Sequence, residues 1–303
     1  MEQTIRYRRN ILKAKMPYFY MAPTILWILF FMIYPLIFSI VMALKRFKLE
    51  RGVSFWEMKW VGLDNFVKAF TDRFFLQSLE KTFIILVIAI TIEFFLGMGI
   101  ALLLNKKGVR FDFLWIALIL SPMMLPLIAS GNLWRMLFDT RWGVVNAAIM
   151  SIGLNPIDFL GNPRWSLIAV IIVEIWQWTP FVVIILLAGL RSIPDEPKEA
   201  ALVDGATNFQ TFRYVMLPLM AHQILIVLLI RSMDVFKTFD IVYALTFGGP
   251  GQSTTVVSFY IYRQAFTQFK LGYGASLSWI VFIIIYLMCF AILKFVKPKD
   301  VTL

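Results

Sequence analysis

Residues Leu167–Leu190, LIAVIIVEIWQWTPFVVIILLAGL, contain no basic residue and one carboxylate, and a few positions later the chain turns polar at Glu199–Pro218, EAALVDGATNFQTFRYVMLP. The first stretch has the length a helix needs to cross the hydrocarbon, about 20 mostly apolar residues. The second has no continuous apolar run and is set between two hydrophobic stretches. Its own signals predict two short helices. Pro194 suits a first-turn position, Asp195, Glu196 and Glu199 put negative charge near a helix N-terminus, and Glu199-Ala200-Ala201-Leu202 favours helix. Gly205 is the natural break, and a second helix is expected from about Asn208, as its capping residue, toward Pro218. The pattern is a helix–turn–helix outside the bilayer.

Composition places the rest of the chain in a membrane. Hydrophobic residues make up 60% of its 303 residues and charged residues 16%, far from soluble-domain averages. Further apolar runs lie near Tyr18–Leu44, Leu79–Leu104, Phe113–Leu133, Leu217–Phe239 and Ala275–Phe295, which makes about six spans. They are too long and continuous for the alternating strands of a membrane barrel, so an all-α integral membrane protein is expected. The first run exceeds a signal-peptide core and lacks a small-residue cleavage site before Lys45, and is read as a retained span.

The net charge of +11 is spread over the loops that flank these runs, which fits membrane anchoring rather than a nucleic-acid surface. One cysteine, Cys289, and one histidine, His222, leave no familiar zinc site, and no nucleophile–histidine pair or metal cluster is evident. No catalytic residue, metal or cofactor is therefore assigned. No GxxxxGK[ST] phosphate loop is present, so ATP, if used, binds another polypeptide.

An even number of spans puts both termini on one side. Arg6, Arg8, Arg9, Lys13 and Lys15 in the N-terminal tail (1–17), Lys106, Lys107 and Arg110, Arg191, Lys198 and Arg213, and the C-terminal lysines select the cytoplasm for them. The spanning domain is then 18–295, with a cytoplasmic loop at 194–218 and a cytoplasmic tail at 296–303. Basic residues also occur in the first external loop, at Lys45, Arg46, Lys48, Arg51, Lys59, Lys68 and Arg73, partly offset by Glu50, Glu57, Asp64 and Asp72. Long loops cross with weak regard for charge.

Glu199-Ala200-Ala201, three residues, Gly205, nine residues, Val215, one residue and Leu217-Pro218 resemble the EAA loop of permease subunits of binding-protein-dependent ABC importers. The resemblance to sugar permeases of the maltose and glycerol-phosphate type covers nearly the whole chain. It is carried by Pro17-Tyr18 with Ile33-Tyr34-Pro35-Leu36, Val61-Gly62-Leu63-Asp64-Asn65-Phe66, Ala188–Pro194, Phe239–Tyr243 and Gly248–Gly251. It implies a type I importer fold of six spans in a bacterial-type inner membrane, an ATPase dimer as the motor, a second homologous permease, an extracytoplasmic solute-binding protein and a sugar-like solute. The resemblance also implies that Glu199, Ala200, Ala201, Asp204 and Gly205 couple the permease to the ATPase. The Gly248–Gly251 turn, Ser253–Lys270 and the loop from Arg135 to Arg164 are candidates for contact with the binding protein, or else solvated connectors.

Polar residues within spans identify faces that avoid lipid, because a charge at mid-bilayer costs about 2.5–3.5 kcal/mol on insertion scales. Glu174, Gln177 and Phe181 share one helix face with Trp178 beside them, and Pro180 frees the carbonyl of Trp176. The resemblance makes these four residues substrate-path candidates, although Trp178 stands where the family pattern has glycine. The alternative is that Glu174 pairs with a basic residue on a neighbouring helix and the tryptophans fill space between helices. In the fifth run, Asp234 and Thr238 are further candidates, whereas Arg231 and Lys237 fit an internal ion-pair network and Glu93 a structural role. A rival reading of the whole chain, an ion-coupled secondary transporter of a polar solute, leaves the 199–218 loop without a purpose and lacks a clear internal repeat.

Overall fold

The computed structural model describes residues 20–48, 57–106 and 111–295. The expectations for Pro17-Tyr18 and the 1–17 tail, for Lys107 and Arg110, for Glu50 and Arg51, and for the 296–303 tail fall outside the described residues. Among the described residues the regular elements are helical, with one isolated antiparallel bridge between Lys45 and Trp60. In chain order they are α1 (Tyr20–Ala43), α2 (Asp64–Thr71), α3 (Arg73–Leu104), α4 (Asp112–Leu120), α5 (Leu127–Leu137), α6 (Val144–Ser151) and α7 (Pro163–Ser192). There follow α8 (Asp195–Val203), α9 (Asn208–Leu219), α10 (Ala221–Val235), α11 (Asp240–Leu245), α12 (Val257–Tyr262) and α13 (Leu271–Phe295).

Helices α1, α3, α7 and α13 are each long and apolar enough to cross a membrane. The runs at 113–133 and 217–239 are not straight. Helix α4, extended by a 3-10 turn over Ser121–Met124, meets α5 at 94°, and α9 meets α10 at 67°, so the candidate spans number four, or up to six if each bent pair is one span. The first bend falls at Leu125-Pro126, where proline cannot donate to the preceding turn. The second falls at Met220.

The chain divides into two compact units, residues 1–69 with 264–280 and residues 70–263 with 281–303. In the first, the side chain of Asn65 donates to the carbonyls of Ala43 (2.7 Å) and Lys45 (3.0 Å), which the end of α1 leaves without helical partners. Gly272 N–H donates to the Phe47 carbonyl at 2.9 Å, and a Cβ at Gly272 would lie 2.3 Å from the Lys45 carbonyl oxygen, so the backbone approach here requires glycine.

The second unit is built on α3 against α7. A Cβ on Gly97 of α3 would lie 2.7 Å from Val182 Cγ1, so the small residue sets how closely the helices meet. The apolar interior forms two clusters, one including Ile85, Ala89, Val170, Val173, Val235 and Phe259, the other Met98, Ala101, Val182, Leu186, Leu190 and Val227. On each of α3, α7 and α10, one buried charged residue falls between the segments that feed the two clusters: Glu93, Glu174 and Arg231. Pro180 is buried, and α7 continues through it.

Candidate functional site

Arg231, Glu93 and Glu174 are all buried. Arg231 Nε donates to Glu93 Oε2 at 2.7 Å and Nη2 to Glu93 Oε1 at 2.9 Å, a two-pronged pairing that guanidinium geometry favours. The same Nη2 donates to Glu174 Oε1 at 2.9 Å, and Thr238 Oγ1 lies 3.4 Å from that oxygen. The indole of Trp178 lies 4.7 Å from the Arg231 guanidinium carbon and adds a cation–π contact. One arginine thus ties α3, α7 and α10 together. Glu174 Oε2, Arg231 Nη1 and Gln177 Oε1 have no hydrogen-bond partner.

Gln177 does different work with its amide nitrogen. Nε2 donates to the carbonyls of Pro122 (2.9 Å) and Leu125 (3.2 Å) at the break between α4 and α5. A broken helix at membrane depth needs such donors, since lipid offers none. Phe181 and Trp178 are half-buried, their rings edge-on at 6.5 Å. Asp234 is half-buried and pairs with the exposed Lys237 at 3.6 Å, whereas Thr238 hydrogen-bonds to Glu174 within the Arg231 cluster.

The polar island folds as α8, a turn and α9. Pro194 is the residue before the first helical turn, and Asp195 and Glu196 lie in that turn. Helix α8 ends with Gly205 at φ +80°; Gly205 N–H donates to the Leu202 carbonyl (3.1 Å) and Ala206 N–H to the Ala201 carbonyl (2.9 Å). This is the paired arrangement of a Schellman ending, and glycine takes its left-handed position without strain. Asn208 is not the cap of the second helix. Thr207 is, with its hydroxyl accepting from Gln210 N–H and Gln210 Oε1 accepting from Thr207 N–H, a reciprocal capping box whose Thr-x-x-Gln signature is present in the sequence.

The elbow carries its functional candidates outward. Glu199, Ala200, Asp204 and Gly205 are exposed and Ala201 is half-buried; so exposed are two apolar side chains that sequence reasoning did not single out, Val203 (87%) and Phe209 (73%). A cavity of about 640 Å³ lies beside α8, lined by Arg191, Pro194, Lys198, Glu199 and Leu202 among others. Lys198 braces this corner by donating to the Ile193 carbonyl (3.1 Å) and to Asp195 Oδ1 (3.2 Å). His222 is exposed near the start of α10.

The chain matches, over residues 93–298, the family described as binding-protein-dependent transport system inner membrane component. It is 32% identical to the trehalose/maltose transport system permease protein MalF of Thermococcus litoralis, over 94% of this chain and 95% of that one. It is 31% identical to the lactose transport system permease protein LacF of Rhizobium radiobacter, over 93% of each chain. Among solved structures, a chain of a bacterial ABC transporter involved in import of the acidic polysaccharide alginate superposes with a TM-score of 0.82 at 24% identity, covering 97% of this chain and 99% of that one.

Proposed function

Because the chain belongs to the binding-protein-dependent transport system inner membrane component family, we propose that it forms half of the solute path of an ATP-driven importer for a sugar or sugar derivative. Permeases of this family hydrolyse no ATP themselves. They work with a separate ATPase, a second permease and a binding protein that delivers the solute. The names of the relatives, trehalose, maltose and lactose permeases, support a carbohydrate as cargo.

The observation that carries the mechanism is the elbow between α7 and α10. It is a capped, Schellman-closed helix pair joined to α7 at one end and to α10 at the other, and its outer surface offers Glu199, Ala200, Asp204, Val203 and Phe209. On this reading it lies in the cytoplasm and docks on the ATPase with those residues, Ala200 and Ala201 allowing close approach. Closure of the ATPase pair moves it as a body, and α7 and α10 pass the shift to the helices around Glu174, Gln177, Trp178, Phe181, Asp234 and Thr238. The ion-coupled alternative gives the elbow no role.

The decisive measurement is ATP turnover of the assembled transporter with and without the loaded binding protein. Glu199→Lys and Gly205→Asp are expected to leave the complex folded but to abolish the stimulation. Stimulation unchanged in both variants counts against coupling through the elbow.

A further inference from the structure

The sequence assigns several basic residues to the first outer loop, against the trend that keeps Lys and Arg cytoplasmic. Three of them, Arg46, Lys48 and Lys68, join Lys270 around one cavity of about 280 Å³ in the first unit, and Asp64 is the one carboxylate among the described residues of its wall. Tyr273 closes a side and holds Lys68 Nζ 4.8 Å above its ring. The wall is built: the Asn65 amide ties α2 to the end of α1 through the Ala43 and Lys45 carbonyls, and the Phe47 carbonyl accepts from Gly272 at the start of α13. From this geometry we infer a binding site for an anionic phosphate group, occupied by the headgroup of an acidic phospholipid.

Two features favour the lipid as source. The cavity sits where two candidate spans, α1 and α13, end and begin, which is headgroup depth for helices that cross the bilayer. Below it α1 presents apolar side chains such as Leu36, Ile37 and Ile40 on its exposed surface, a track for acyl chains. The four cations among the described residues of the wall supply the kind of attraction that basic clusters at membrane surfaces exert on acidic lipids. The inference depends on α1 and α13 crossing the membrane and is independent of the importer's cargo.

The test uses the full chain in nanodiscs of phosphatidylcholine with graded phosphatidylglycerol, read by lipid retention in native mass spectrometry. The wild type is expected to retain phosphatidylglycerol preferentially. The triple variant Arg46→Gln/Lys68→Gln/Lys270→Gln should weaken that retention at least about tenfold. Asp64→Asn, which removes the opposing charge, should strengthen it, so the site remains testable if the triple variant folds poorly. A separate arm adds inorganic phosphate to the chain in neutral detergent. Thermal stabilisation by phosphate, combined with no preference for phosphatidylglycerol, would assign the site to the free anion and overturn the lipid source. Equal retention of both lipids by all variants without a phosphate effect overturns the site. So does a triple variant that loses docking of the binding protein while keeping its lipid, since the cavity would then be a protein surface.

Discussion

Arg231 stands between two carboxylates in an apolar interior, and its removal leaves both without a counter-charge. Breaking a buried pair on one side typically costs about 3–5 kcal/mol, whereas replacing all partners by apolar residues of similar volume is often neutral or stabilising. Arg231→Met is therefore expected to unfold at markedly lower temperature in detergent, and Arg231→Met/Glu93→Leu/Glu174→Leu to recover most of the loss. A triple variant less stable than the single one would show that the ions themselves hold the three helices together. Both roles weighed for Glu174 in the sequence bear on the same side chain: one oxygen is engaged by Arg231, while Oε2 has no partner. Glu93 was legible only as a polar residue in a span. Its partner lies 138 positions away, a distance that no local pattern encodes. Gln177 was legible as part of a polar face, but its donation to the Pro122 and Leu125 carbonyls depends on a bend in another helix.

At the scale of elements, the elbow is the part most fully written in local chemistry. The acidic first turn, the helix-forming Glu199–Leu202 and the break at Gly205 all appear where the residues put them; Pro194 precedes the first turn instead of entering it, and the second cap shifts by one position, to the Thr207–Gln210 box. No atom lies within 4 Å of a Cβ built on Gly205, so a substitution there meets no clash and reads the backbone alone. A left-handed conformation costs an ordinary L-residue about 1–2 kcal/mol, and asparagine less. Hydrogen exchange at the Gly205 and Ala206 amides should thus accelerate about tenfold in Gly205→Ala and less in Gly205→Asn; equal rates in all three proteins would mean that the Schellman bonds do not govern this turn. The bends at Leu125-Pro126 and Met220 were not read from the apolar runs, since hydropathy is blind to direction. Pro122 and Pro126 were the available signals for the first, and the second has no residue of that kind at its vertex.

For the whole molecule, the bent pairs decide the topology. If α4 with α5 and α9 with α10 each cross the bilayer, the chain makes six passes, and Asn105 and Val203 share a side that Trp142 does not. If both pairs re-enter on the side they left, four passes remain, Asn105 shares its side with Trp142, and Val203 moves to the opposite one. The donation of Gln177 to the carbonyls at the first bend favours a crossing by α4 with α5, because a break held at membrane depth needs an internal donor and one at the surface would be served by water. A crossing by α4 with α5 also puts the elbow on the same side as the basic N-terminal tail, where an ATPase can meet it. Cys289 is the one native thiol, so a Cys289→Ser background makes the measurement clean. Single cysteines at positions 105, 142 and 203 should label with a membrane-impermeant maleimide as follows: Trp142→Cys in intact cells, Asn105→Cys and Val203→Cys only in inverted vesicles. Labelling of Val203→Cys in intact cells, with Trp142→Cys protected, would require α4 with α5 to re-enter on the side they left and would remove the elbow from the ATPase altogether.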